Sequence, residues 1–240
     1  MDPIYPSIVN SLELAAKKSK YKRDADEYDP RYKAYGVRKP EVSQIIKQHK
    51  KEILALRIAE RIALADQLIR SQMGEEQTIA FFILGESVEY FDDQDDLTQI
   101  EAWMKNFYGW SKIDGFAGCF LPQLLEKHEK EVIELARKWN GSQNLWERRA
   151  SVVLFTRKIA ESGKYFDEAI NLCTNLKWDV EDYVRKGVGW CLKDNLRANK
   201  EAVVDLIKQW RREGVSSVIT LYAIRDIKDK AERKAILNLT

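Results

Sequence analysis

Three groups of residues in this chain could do chemistry. In Tyr183–Lys193 (YVRKGVGWCLK), a helical register of about 100° per residue puts Val184, Val188, Cys191 and Leu192 in one arc. Lys186, Trp190 and Lys193 then fall together on the opposite side. A large ring flanked by two cations suits a ligand that is anionic and offers a surface to stack against, and nucleic acid does both. The competing reading is a helix covered on both faces, with Trp190 in the core. In WSKID, Trp110 and Asp114 are four residues apart, so on a helix they share a face. Gly118 lies one turn beyond and leaves open space near the carboxylate. In WERRA, Arg148 and Arg149 begin an otherwise apolar helix. Cations at a helix N-terminus oppose its dipole, so an anionic partner such as phosphate is a physical reason for them. Inter-helix packing is the competing role for Trp110 and Trp146; for Asp114 it is an N-cap or surface role.

The elements that must position these groups read as helices nearly throughout. A first helix is expected near Ser7–Ser19, followed by a loop with Tyr28, Tyr32 and Tyr35 and an ordered turn at YGVRKPEV. Pro40 is well placed in the first turn of the next helix. Ile45, Ile46, Ile53, Leu56, Ala59, Ile62, Ala63 and Leu68 continue at helical spacing as one run. Further apolar-periodic stretches lie near 76–88, 97–107, 113–127, 130–139, 146–162, 165–175, 180–193, 199–211, 215–226 and 230–238. Only 151–155 and 215–222 carry some strand propensity. Trp110, Trp146 and Trp190 recur at separations near the roughly 40–47 residues of HEAT-type helix pairs. The expected fold is all-α, a superhelix of HEAT-like helical repeats with a concave binding face. It forms a single domain over 1–240, in which 1–39 is the N-terminal helix and a basic, aromatic loop.

Composition narrows the function classes. The chain has 240 residues, 45% of them hydrophobic, with 40 Lys+Arg against 38 Asp+Glu and a net charge of +2. Positive surface must therefore come from local segregation rather than global excess. Lys17, Lys18, Lys20, Lys22 and Arg23 form a basic run; Glu89, Asp92, Asp93, Asp95 and Asp96 form an acidic one. Cys119, Cys173 and Cys191 are far apart and set among apolar residues, as expected of reduced, buried thiols. His49 and His128 stand in charged surroundings, so neither a metal centre nor a histidine triad is expected. No segment approaches a membrane span or a signal-peptide core, so the expected setting is the cytoplasm.

WSKID, KWNGSQNLWERRA and YVRKGVGWCLK, in this order, resemble the AlkD-like DNA alkylation repair family, and YGVRKPEV and ITLYAIRDI extend the resemblance over most of the chain. The resemblance implies HEAT-like repeats around duplex DNA and excision of positively charged alkylpurines, such as 3-methyladenine and 7-methylguanine, at the N-glycosidic bond. It places Trp110, Asp114 and Trp190 at the family's catalytic cluster. Arg149, with Arg148 beside it, is placed at a phosphate-contacting arginine, and Tyr28 at a DNA-contacting tyrosine. Lys193 stands where members carry arginine, and Lys186 joins it as a DNA contact. No cofactor is implied, the partner is double-stranded DNA containing alkylated bases, and a monomer is expected. Two other readings share these residues: a binder of damaged or bent DNA that does not cut, and a HEAT-like protein-interaction scaffold.

Overall fold

The computed structural model describes residues 4–19, 29–91 and 94–239, with side chains described from 98 onward in the last segment. Lys20, Lys22, Arg23, Tyr28 and most of the acidic run lie outside the described side chains. The fold is all-α; among the described residues the one extended pairing is an isolated bridge between Lys33 and Met73. No described helix is long and apolar enough to cross a membrane.

The helices group into two compact units, Met1–Lys127 and His128–Thr240. In the first, α1 (Ile4–Lys18) packs on α2 (Lys39–Ala55), and α3 (Ile58–Arg70) packs on α4 (Gly74–Gly85). There α4 also touches α2 and α6 (Trp110–Gly115); α5 (Gln94–Met104) and α7 (Leu121–Lys127) complete the unit. In the second unit, α8 (Glu129–Asn140) pairs with α9 (Leu145–Val153), followed by α10 (Arg157–Ser162) and α11 (Phe166–Asn175). Next come α12 (Asp182–Asn195), α13 (Lys200–Glu213), α14 (Ser217–Ala223) and α15 (Lys230–Leu237). Helix α12 is the hub, packed by α9, α10, α11, α13 and α14. Gly189 makes the α14 contact possible, because a Cβ there would lie 2.7 Å from Tyr222 Cβ and 3.0 Å from the Ile219 carbonyl.

Three apolar runs that read as single helices are interrupted. The first divides at Leu56–Arg57, both in extended backbone. Glu60 accepts from the Arg57 amide at 2.9 Å and from its guanidinium at 2.6 Å, while Arg61 donates to the Leu54 and Leu56 carbonyls at the end of α2. Those side chains satisfy helix-end groups that would otherwise face solvent. The run near 113–127 contains a wide π turn at Phe116–Phe120, and the run near 146–162 breaks between α9 and α10. Apolar periodicity passes across all three breaks, because the residues either side of each still face a core.

The loop before α2 is held by two buried acids at the start of α4. Glu75 accepts the amides of Tyr35, Gly36 and Val37, each at 3.0 Å. Glu76 accepts the phenols of Tyr5 at 3.1 Å and Tyr35 at 2.6 Å. Gly36, at φ 82°, supplies the left-handed residue the turn needs. Because Glu75 is buried, Glu75→Ala strands three amides and is expected to cost about 3 kcal/mol or more in urea unfolding. A loss under about 1 kcal/mol would contradict this account of the loop. Burial, reinforced by Glu76, pushes the Tyr5 phenol up to about 12, whereas an unfolded phenol titrates near 10. Its contribution is therefore complete below about pH 10 and lost as pH rises towards 12. Wild type should lose stability relative to Tyr5→Phe across that window, measured by unfolding at stepped pH; a constant difference would refute the assignment.

Candidate functional site

In the first unit, α6 is short, and its placement is governed by one buried lysine. The Lys112 ammonium donates to the Gly74 carbonyl at 2.5 Å and to Thr78 Oγ1 at 2.7 Å, latching α6 to the first turn of α4. Gly115 lets Phe81 approach to 3.0 Å of where a Cβ would stand, and Phe116 packs between Phe81 and Phe107 at 5.8 and 4.8 Å. With those residues turned inward, Trp110 faces outward and is 37% exposed. Packing between helices therefore covers only part of it. Asp114, one turn along the same helix, is 8% exposed, at the rim of the core rather than on open surface. Gly109, at φ 86°, turns the chain into α6, and before it the Arg31 guanidinium lies 4.2 Å over the Tyr108 ring. Arg31 is itself clamped by Asp29 through bonds of 2.9 and 2.8 Å. The unit thus presents an exposed indole and a nearly buried carboxylate one turn apart on α6, and the residue two positions before the helix, Tyr108, carries the Arg31 guanidinium on its ring.

In the second unit, Val184, Val188, Cys191 and Leu192 are fully buried, as the helical register predicts. Trp190 is half-buried, and the Arg157 guanidinium sits 5.1 Å over its ring. Trp146, by contrast, is core, 5.3 Å from Tyr183. The expected cations divide into two kinds. Lys186 is exposed and pairs with Asp182 at 2.6 Å along its own helix. Lys193 is nearly buried, with its ammonium 2.9 Å from Asp194 and 3.4 Å from Asp226. Arg149 is buried and donates to the Tyr183 carbonyl at 2.5 Å. Arg148 chelates Asp179 at 2.6 and 3.3 Å and donates to the Ser142 and Gln143 carbonyls. The anion that makes a cation tolerable at the start of α9 includes the protein's own Asp179.

Sequence reasoning missed Arg31, Lys112 and Arg157. Arg157 carries a signal only in three dimensions, a φ of 56° at a residue other than glycine. Cys119 is exposed, a correction to the expectation of three buried thiols; Cys173 and Cys191 are buried and free. His49 is buried beside Ser11 at 3.1 Å despite its charged neighbours in sequence. Among the described residues no cluster could hold a metal ion.

The two kinds of cation should behave differently. Removing the guanidinium in Arg148→Ala leaves Asp179 buried and is expected to cost about 3–5 kcal/mol. Lys186→Ala removes an exposed pair and should cost well under about 1 kcal/mol. Chemical denaturation of both variants checks this; equal effects would show that the Arg148–Asp179 pair is no better shielded than the surface one.

No curated protein matches the chain at a significant level. Among solved structures, a predicted DNA alkylation repair enzyme from Enterococcus faecalis superposes with a TM-score of 0.71 at 16% identity, covering 93% of this chain and 96% of that one. The protein smu.31 from Streptococcus mutans UA159 superposes with a TM-score of 0.56 at 23% identity, covering 79% of this chain and 97% of that one. At these identities the likeness is one of fold. The family model described as DNA alkylation repair enzyme matches residues 9–227, nearly the whole chain, and the protein belongs to that family.

Proposed function

We propose that this protein is a monofunctional DNA glycosylase that hydrolyses the N-glycosidic bond of positively charged alkylpurines, 3-methyladenine and 7-methylguanine among them, in duplex DNA. The reading takes 1–240 as one domain acting as a cytoplasmic monomer without a cofactor. The observation that carries it is α6, where an exposed Trp110 stands one turn from a nearly buried Asp114 in a chain of this family. Membership supports a role in alkylation repair; the residues support the chemistry.

An alkylpurine bearing a formal positive charge leaves as a neutral base, so no acid is needed to protonate it. When the C1′–N bond breaks, its electron pair goes to the base and positive charge develops on the deoxyribose. The Asp114 carboxylate stabilises that charge and takes the proton from the water that attacks C1′. Trp110 and Trp190 attract cationic or electron-poor groups through their ring faces, worth about 0.5–2 kcal/mol each. Lys186, Arg149, Arg148, Lys193 and Tyr28 are assigned to the DNA backbone. Of these, Lys186 has the most exposed ammonium, while Arg148 and Lys193 contribute charge from within ion pairs.

The test is release of 7-methylguanine from a methylated duplex. Wild type should release it, and Asp114→Asn should lose about 10²-fold or more in rate while binding duplex with nearly unchanged affinity. Binding without release by wild type would leave a non-catalytic reader of damaged DNA. Absence of any duplex binding by the folded protein would point to an interaction scaffold instead.

A further inference from the structure

The break between α9 and α10 is held from α12. Its backbone passes through Leu154, Phe155 and Thr156, and α10 restarts at Arg157 with φ 56°. Buried Asp194 accepts the Arg157 amide at 2.8 Å, and buried Asn195 donates to the Phe155 carbonyl at 3.0 Å. Thr156 closes the end of α9 by donating to the Val153 carbonyl at 2.7 Å. Two α12 side chains thus hold the left-handed turn, and the guanidinium that leaves it lies on Trp190 of that same helix.

Glycine would adopt this backbone without strain, and asparagine nearly so. Arginine does not, yet its backbone is clamped by a buried carboxylate while its side chain is exposed. Strained residues of this kind persist where the surroundings over-determine them, and they concentrate at functional sites. The second oxygen of Asp194 meets the Lys193 ammonium at 2.9 Å, so one carboxylate holds that cation and the backbone from which the Arg157 guanidinium reaches Trp190.

We propose that Arg157 is a DNA backbone contact, its guanidinium gripping the phosphate of the nucleotide whose sugar or base lies along Trp190. This rests on the DNA-binding reading above and adds a phosphate site that the sequence motifs do not mark. A planar guanidinium suits the task, since it can lie on an indole and still present paired donors to a phosphate. Asp194 and Asn195 are positioning residues for it.

The experiment measures affinity for unmodified duplex between about 50 and 200 mM salt. Arg157→Gly removes the guanidinium and suits the left-handed backbone, so the variant should stay folded with a melting temperature near that of wild type. Its affinity should fall about tenfold, and the slope of log affinity against log salt should shrink by about 0.9. Arg157→Lys should keep most of the slope and recover only part of the affinity. Unchanged affinity and slope in Arg157→Gly, with wild type binding duplex normally, would overturn the phosphate site and leave the glycosylase reading intact. If wild type shows no salt-dependent binding, both fall.

Discussion

Buried charged side chains that satisfy backbone groups at the ends of helices are the interaction on which both candidate surfaces depend: Lys112 latches α6 to the first turn of α4, and buried carboxylates hold the turns. Glu75 takes three amides of the loop before α2, and Asp194 takes the amide that restarts the chain at α10. A turn between packed helices leaves amides with no helical partner, and a carboxylate supplied by a neighbouring helix satisfies several at once. In a low-dielectric setting such bonds are strong when complete and costly when broken. Each turn is therefore fixed in one geometry. Arg157, whose guanidinium lies over Trp190, leaves the chain at such an anchor, and Arg31 over Tyr108 is held by its own pair with Asp29.

The arginines and lysines show a division of labour. Arg148 and Lys193 are each paired with a nearly buried carboxylate, so part of their charge is answered inside the protein. Lys186 and Arg157 lie at the surface. Positive charge that is positioned by structure but shown to solvent is what a polyanion can use. The modest net charge of +2 is compatible with this arrangement, since local placement rather than global excess sets the field at a surface.

Much of the architecture was legible from apolar spacing. The all-α class followed from it, as did the buried arc of Val184, Val188, Cys191 and Leu192, while the family was legible separately, from the order of its motifs. The outward stance of Trp110 was legible only in part, because a helical wheel places Trp110 beside Asp114 without saying which side is covered. The breaks at Leu56–Arg57 and at 154–156 were hidden, because apolar residues stay in phase across them and the capping groups come from charged side chains or from distant α12. Arg157 was invisible for the same reason: its significance lies in a backbone angle and in a ring thirty-three positions on. The internal partners of Arg148 and Lys193 are also tertiary facts, separable from surface charge only by knowing what packs beside them.

The central claim is that a carboxylate and two indoles act on a sugar cation without an acid to protonate the departing base. It is tested most directly by single-turnover excision from two matched duplexes, one carrying cationic 7-methylguanine and the other a neutral lesion such as hypoxanthine. The account predicts release of the cationic base and none of the neutral one above background. Release of both at comparable rates would contradict it, because the neutral base cannot depart without a proton donor that this site is not expected to supply.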